Sequence, residues 1–128
     1  MDTNDKTKKL KEIASQYGLH LVILFGSQVK VATHKESDVD IAYASASPLD
    51  IDSEARLIVD LAPIFGTDRI DLVDLHRASA LILYAVTTEG VVLYQDNDLA
   101  FPTLRAYAFK RYVEEGSIFR LKKELLQT

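Results

Sequence analysis

Two aspartates, Asp38 and Asp40, stand two residues apart in DVDIAYA, a short apolar stretch that reads as a strand. Residues two apart in a strand point to the same face, so both carboxylates aim at one point while Val39 and Ile41 turn to the opposite, core-facing side. Like charges so close repel, and burying them is costly unless one protonates or a cation joins them. Mg²⁺ is the natural cation, because it takes hard oxygen ligands and binds through one or two carboxylates plus substrate phosphates. A third acid, Asp71, lies in RIDLVDL, another short apolar strand where a carboxylate has no packing role. If the two strands are neighbours, the three acids converge. They could then hold two metals about 4 Å apart, or hold one while Asp71 acts as base toward an attacking hydroxyl. Asp74, nearer the end of the same strand, is expected to cap or to face solvent.

Gly26-Ser27 approaches the same place from another strand. HLVILF, residues 20–25, is a continuous branched run of the length of a central strand, and it ends at this glycine. A helix starting at Ser27 would offer free N–H groups and a hydroxyl to a phosphate. The chain carries neither a Walker A loop nor a dinucleotide glycine fingerprint.

The elements that must position these groups follow from periodicity and capping. Helices are expected over Lys6–Tyr17, stopped by Gly18, and over Asp50–Ile64, with Asp50, Asp52 or Ser53 as cap and Ala55, Ile58, Val59 and Ala62 on one face. Strands are expected at 38–44, 69–75 and 91–95, and a further helix at 78–89, closed by Gly90. From Asn97 or Asp98 a helix should run to Gly116 and a second from Ser117 to Leu126. Their aromatic residues, Phe101, Tyr107, Phe109, Tyr112 and Phe119, are expected mainly to pack the core of these helices, with some left for a partner surface. The order α-β-β-α-β-α-β-α-α implies an α/β (α+β) fold: a mixed sheet of about four strands flanked by helices. Residues 1–98 form the catalytic unit and 99–128 a helical extension packed on it.

Bulk composition narrows the function. The chain has 128 residues, enough for one core, and no cysteine, which excludes disulfides and thiolate metal sites. No apolar run approaches a membrane span, and no apolar segment follows the charged start, so a cytoplasmic protein is expected. Residues 1–98 hold 9 Lys and Arg against 16 Asp and Glu, whereas residues 99–128 hold 6 against 3. An acidic body argues against binding long nucleic acid, which is held by clustered cations, but not against one nucleotide held through metal. His20, His34 and His76 lack metal-ligand spacing and are assigned no role.

Together, Gly26-Ser27, ten intervening residues and Asp38-Val39-Asp40 resemble the GS-x10-DxD signature of the nucleotidyltransferase superfamily that includes DNA polymerase beta. RIDLVDLHRASALILYAVTTEGVVLY resembles the third-carboxylate strand and following helix of its minimal nucleotidyltransferases, the MNT proteins, so the likeness covers about residues 8–95. The resemblance implies the nucleotidyltransferase fold, one or two Mg²⁺ on Asp38 and Asp40 with Asp71 as third acid, and nucleotide phosphate at Gly26 and Ser27. Many MNT proteins resemble antitoxins encoded beside a HEPN-domain toxin, and members transfer AMP from ATP to a toxin tyrosine. The resemblance thus implies ATP as donor, a HEPN toxin as partner, and oligomers formed through the C-terminal helices.

The chain departs from the common family sequence GSRARG, placing Gln28, Val29, Lys30 and Val31 after Ser27. Lys30 keeps one positive charge for the nucleotide but lacks the bidentate fork of arginine, and Val31 restricts backbone that glycine leaves free. This departure motivates an alternative, an antitoxin that neutralises its toxin by binding alone. A transferase acting on a small molecule is a third reading, for which the chain is short of an acceptor domain.

Overall fold

The computed structural model describes residues 2–26 and 37–127. Four strands and four helices follow in the order α1 Thr3–Tyr17, β1 Leu19–Phe25, β2 Val39–Ser45, α2 Ile51–Phe65, β3 Ile70–Asp74, α3 Ala80–Glu89, β4 Val91–Gln95 and α4 Ala100–Leu126. The strands form one mixed sheet in the order β3-β2-β1-β4. β2 runs parallel to β3, and β1 is antiparallel to both β2 and β4. The α/β (α+β) fold expected from the sequence is therefore present. Among the described residues, no helix is long and apolar enough to cross a membrane.

Alternation along the strands feeds two cores. Val22, Ile41, Tyr43 and Ile70 face α1 and α2, packing with Ile13, Leu57 and Leu61. Ile23, Phe25 and Ala42 face α3 and α4, packing with Leu83, Val86 and Ala108. Both sheet faces are thus buried, which explains why HLVILF is apolar throughout rather than alternating. The acids' face is the second core rather than solvent, and Asp38 and Asp40 occupy its end.

Local chemistry sets the element boundaries. α1 starts earlier than its periodicity suggests because Asp2 caps it, accepting a bond from Asp5 N at 2.9 Å. Asp50 caps α2 through Ser53 N at 2.7 Å, and Ser79 caps α3 through Ile82 N at 3.2 Å. Gly18 and Gly66 close α1 and α2 at φ 67° and 71°, where only glycine is unstrained. Gly90 differs. Its backbone is extended, but a Cβ there would lie 2.5 Å from both Ile23 Cγ2 and the Val86 carbonyl oxygen, so it is required by close approach.

Three expectations need correction. The buried face of α2 is Leu57, Leu61 and Ile64, while Val59 stays 68% exposed. Two overlapping helical stripes were available, and the sheet takes the larger side chains. The C-terminal segment is one continuous 27-residue helix that passes through Gly116. Glycine inside a helix costs only about 1 kcal/mol, which neighbouring good helix formers offset. The tail aromatics do not pack into a core: only Phe101 joins it, while Tyr107, Phe109, Tyr112 and Phe119 are exposed. α4 also lacks a side-chain cap at its first residue, although Asn97 Oδ1 accepts from Leu99 N and Gln95 Oε1 from Phe101 N.

Candidate active site

The parallel pairing of β2 and β3 brings the acid-bearing strand starts to one end of the sheet. Asp40 lies between Phe25 of β1 and Asp71 of β3, each in direct register with it. Registered neighbours share a face, and adjacent strands lie about 4.8 Å apart, so Asp71 stands beside Asp40. Asp38 precedes β2 and is tied to β3 by its own N–H, which donates to the Arg69 carbonyl at 2.8 Å.

The carboxylates differ in setting. Asp40 is only 4% exposed and its Oδ1 accepts from the Ser37 hydroxyl at 2.9 Å. Asp38 is exposed, and its Oδ2 accepts from the Thr67 hydroxyl at 2.9 Å. Thr67 Oγ1 itself accepts from Arg69 N at 3.1 Å, so the turn before β3 orients an acid on β2. Asp71 is exposed at the outer strand.

Asp38 and Asp40 line a cavity of about 500 Å³ with Phe25, Gly26, Phe65 and Glu89. This volume suits a nucleotide-sized ligand. Asp71 does not line it. Among the described residues, no three His, Cys, Asp or Glu side chains form a closed metal-holding group. The structure therefore gathers Asp38 and Asp40 and sets Asp71 beside them without completing a three-acid cage. Two hard carboxylates opening on a cavity, one nearly buried, fit Mg²⁺, which completes its shell with phosphate and water.

The other sequence candidates separate cleanly. Asp74, at the far end of β3, accepts from His76 N at 2.9 Å and pairs with Arg77 at 3.7 Å, so it caps as expected. His20 pairs with Asp96 at the opposite end of the sheet, and this bond holds the Asp96 carboxyl below its ordinary value. Gly26 lines the cavity. Ser27, Lys30, the altered stretch 28–31 and His34 lie outside the described residues. Sequence reasoning missed Thr67, Ser37, Phe65 and Glu89. Thr67 sits in a turn with no pattern of its own, and Glu89 reads from sequence only as the last residue of a helix.

Residues 8–99 match the family described as Polymerase beta, Nucleotidyltransferase. Over 93 residues the chain is 39% identical to the protein adenylyltransferase MntA of Shewanella oneidensis, spanning 70% of this chain and 66% of that protein. A crystal structure of a toxin-antitoxin with AMP-PNP is similar at a TM-score of 0.69 and 26% identity, covering 95% of this chain and 98% of that one. A structure of tri-AMPylated Shewanella oneidensis HEPN toxin in complex with MNT antitoxin has a TM-score of 0.70 at 24% identity, covering 98% of each chain. At that identity the likeness concerns the fold alone.

Proposed function

Since the chain belongs to the polymerase beta nucleotidyltransferase family, we propose that it is a Mg²⁺-dependent adenylyltransferase that moves AMP from ATP to a tyrosine hydroxyl of a HEPN-type toxin, acting as its antitoxin. The observation that carries this reading is the placement of Asp38 and Asp40 at one cavity, with Asp71 in register beside Asp40. Support for the donor and the partner comes from the name of the MntA relative and from the toxin-antitoxin with AMP-PNP. We assign the transfer chemistry to residues 1–98, treat 99–128 as a helical extension, and place the reaction in the cytoplasm, a compartment that supplies ATP.

In this mechanism Asp38 and Asp40 hold Mg²⁺, which neutralises the triphosphate when bound. Asp71 orients the acceptor hydroxyl and takes its proton as the acceptor oxygen attacks the α-phosphorus. The new O–P bond forms in line with the bond to the departing pyrophosphate. Little covalent work falls to the protein, so positioning and charge neutralisation do most of the catalysis. We assign phosphate binding to Gly26, Ser27 and Lys30, as the family resemblance implies.

The test is incubation of the protein with labelled ATP, Mg²⁺ and the folded candidate toxin. Label should appear on the toxin and vanish with Asp40→Asn. Absence of label on a folded toxin would overturn the reading. The departure at Gln28–Val31 favours a second reading, neutralisation by binding alone. The double change Asp38→Ala and Asp40→Ala separates the two: neutralisation survives it if binding suffices, and is lost from an intact complex if chemistry is required.

A further inference from the structure

Glu89 lines the Asp38–Asp40 cavity, yet the transfer chemistry gives it no task. It is the exposed last residue of α3. A helix C-terminus carries partial negative charge, so an acid there stands against the helix dipole. Among the described residues, neither a hydrogen bond nor an ion pair to its side chain offsets this placement. Its position is nonetheless fixed. The N–H of Gly90, next in the chain, donates to the Val86 carbonyl at 2.8 Å, and a Cβ there would lie 2.5 Å from Ile23 Cγ2 of β1. Glu89 is therefore held at the cavity by a close approach that only glycine permits, in an electrostatic setting that does not favour the fold.

What Glu89 meets there follows from the order of the strands. Across this end of the sheet Asp71, Asp40 and Phe25 stand side by side, and β4 begins at Val91, opposite Leu24. β4 is the second strand from β2, so its start lies roughly 10 Å from Asp40. Glu89 forms no closed metal-holding group with Asp38 and Asp40, and its charge would repel phosphate. A carboxylate only accepts hydrogen bonds, so Glu89 must face a part of the nucleotide that donates them. ATP offers two such parts, the ribose cis-diol and the amino group of adenine. The ribose is joined to the α-phosphate by a single methylene, whereas the amino group lies at the far side of the purine. From a phosphate held at Asp38 and Asp40, a span of two strands reaches the ribose.

We propose that Glu89 binds the ribose cis-diol of the nucleotide, its two carboxylate oxygens accepting from the 2′ and 3′ hydroxyls, and so restricts the site to ribonucleotides. The proposal rests on the nucleotide-transfer reading of the cavity and adds sugar selectivity to it. An acid on a ribose hydroxyl serves dinucleotide-binding sheets in the same way. The charge that opposes the helix dipole is then of use, because a charged acceptor makes a stronger hydrogen bond than a neutral one. It also keeps the phosphates away from α3, which leaves the nucleotide one direction in which to lie.

Isothermal titration of the full chain in Mg²⁺, without toxin, compares ATP, 2′,3′-dideoxy-ATP and ITP. ATP should bind at least ~10-fold more tightly than the dideoxy nucleotide, the worth of hydrogen bonds to a charged group. Glu89→Ala should weaken ATP to the level of the dideoxy nucleotide and leave the latter no weaker. Glu89→Gln, which keeps an acceptor oxygen, should retain part of the preference, and circular dichroism checks that both variants are folded. ITP carries a carbonyl in place of the amino group, and the ratio of ATP to ITP affinity should be the same in wild type and Glu89→Ala. Equal wild-type affinity for ATP and the dideoxy nucleotide overturns the proposal, as does a preference that survives Glu89→Ala. A change confined to the ATP to ITP ratio would mean that the acid reads the base, and overturns it equally. If the folded wild-type chain binds neither ATP nor the dideoxy nucleotide, the nucleotide site itself fails and this proposal falls with it.

Discussion

In the proposed site Asp40 is the central side chain, because it is only 4% exposed, opens on the cavity and lies in register with Asp71. Replacing it with Asn keeps the shape and the Ser37 contact but removes the charge. Adenylyl transfer should fall at least ~100-fold, as expected when a charge-stabilising group is lost, while the thermal midpoint measured by circular dichroism stays level or rises. Thr67 acts one step away by holding Asp38 through a 2.9 Å bond. Thr67→Val should lower the transfer rate roughly 3- to 10-fold, the value of one orienting hydrogen bond, without abolishing it. These two residues also show how far the site was legible. Asp38 and Asp40 could be read because a strand has period two and an acid pair in an apolar strand asks for a cation. Thr67 and Glu89 could not, since a turn hydroxyl and a helix-terminal acid gain their place only when α2 and α3 pack against the sheet.

At the scale of elements, Gly90 is the joint between α3 and β4. A methyl group at its Cα would meet Ile23 Cγ2 and the Val86 carbonyl at 2.5 Å, and the backbone oxygen cannot move aside without opening the end of α3. Gly90→Ala should destabilise the protein by about 1–3 kcal/mol, read as a lower urea midpoint at unchanged slope. The sequence located nearly every element because continuous branched runs and capped periodic stretches are local signals. It misjudged α2 and α4 where the deciding term is tertiary. Ala55, Val59 and Ala62 make a good stripe, yet Leu57, Leu61 and Ile64 bury more area against the sheet. Gly116 resembles a stop signal, but a Cβ there would meet nothing within 4 Å outside its own helix, and the helix continues through it.

For the whole molecule, pH acts through hydrogen-bonded pairs that join α1 to α2, α2 to β2 and β1 to the turn after β4, and through the cap of α2. Burial, reinforced by the bond donated to Asp60, pushes Tyr17 up to about 12, and burial with the bond to Glu54 raises Tyr43 further. Both phenols favour the neutral form in the folded state. Their contribution is therefore complete below the ordinary tyrosine value of about 10 and is lost as pH rises towards about 12. Urea unfolding across that window should show stability falling with pH, and Tyr17→Phe should make the fall shallower. Acid has the opposite sign. The bonds from Ser53 to Asp50 and from His20 to Asp96 hold those carboxyls low, so their contribution is present above about pH 4 and disappears below it. The pairing of Asp40 with Asp71 carries a last consequence for the molecule as a machine. Their spacing is set by the backbone ladder between two parallel strands, so the sheet serves as a ruler for the proposed chemistry. A ruler of that kind cannot soften while the sheet stands, and on heating the two acids should lose their alignment in the same step that melts the fold.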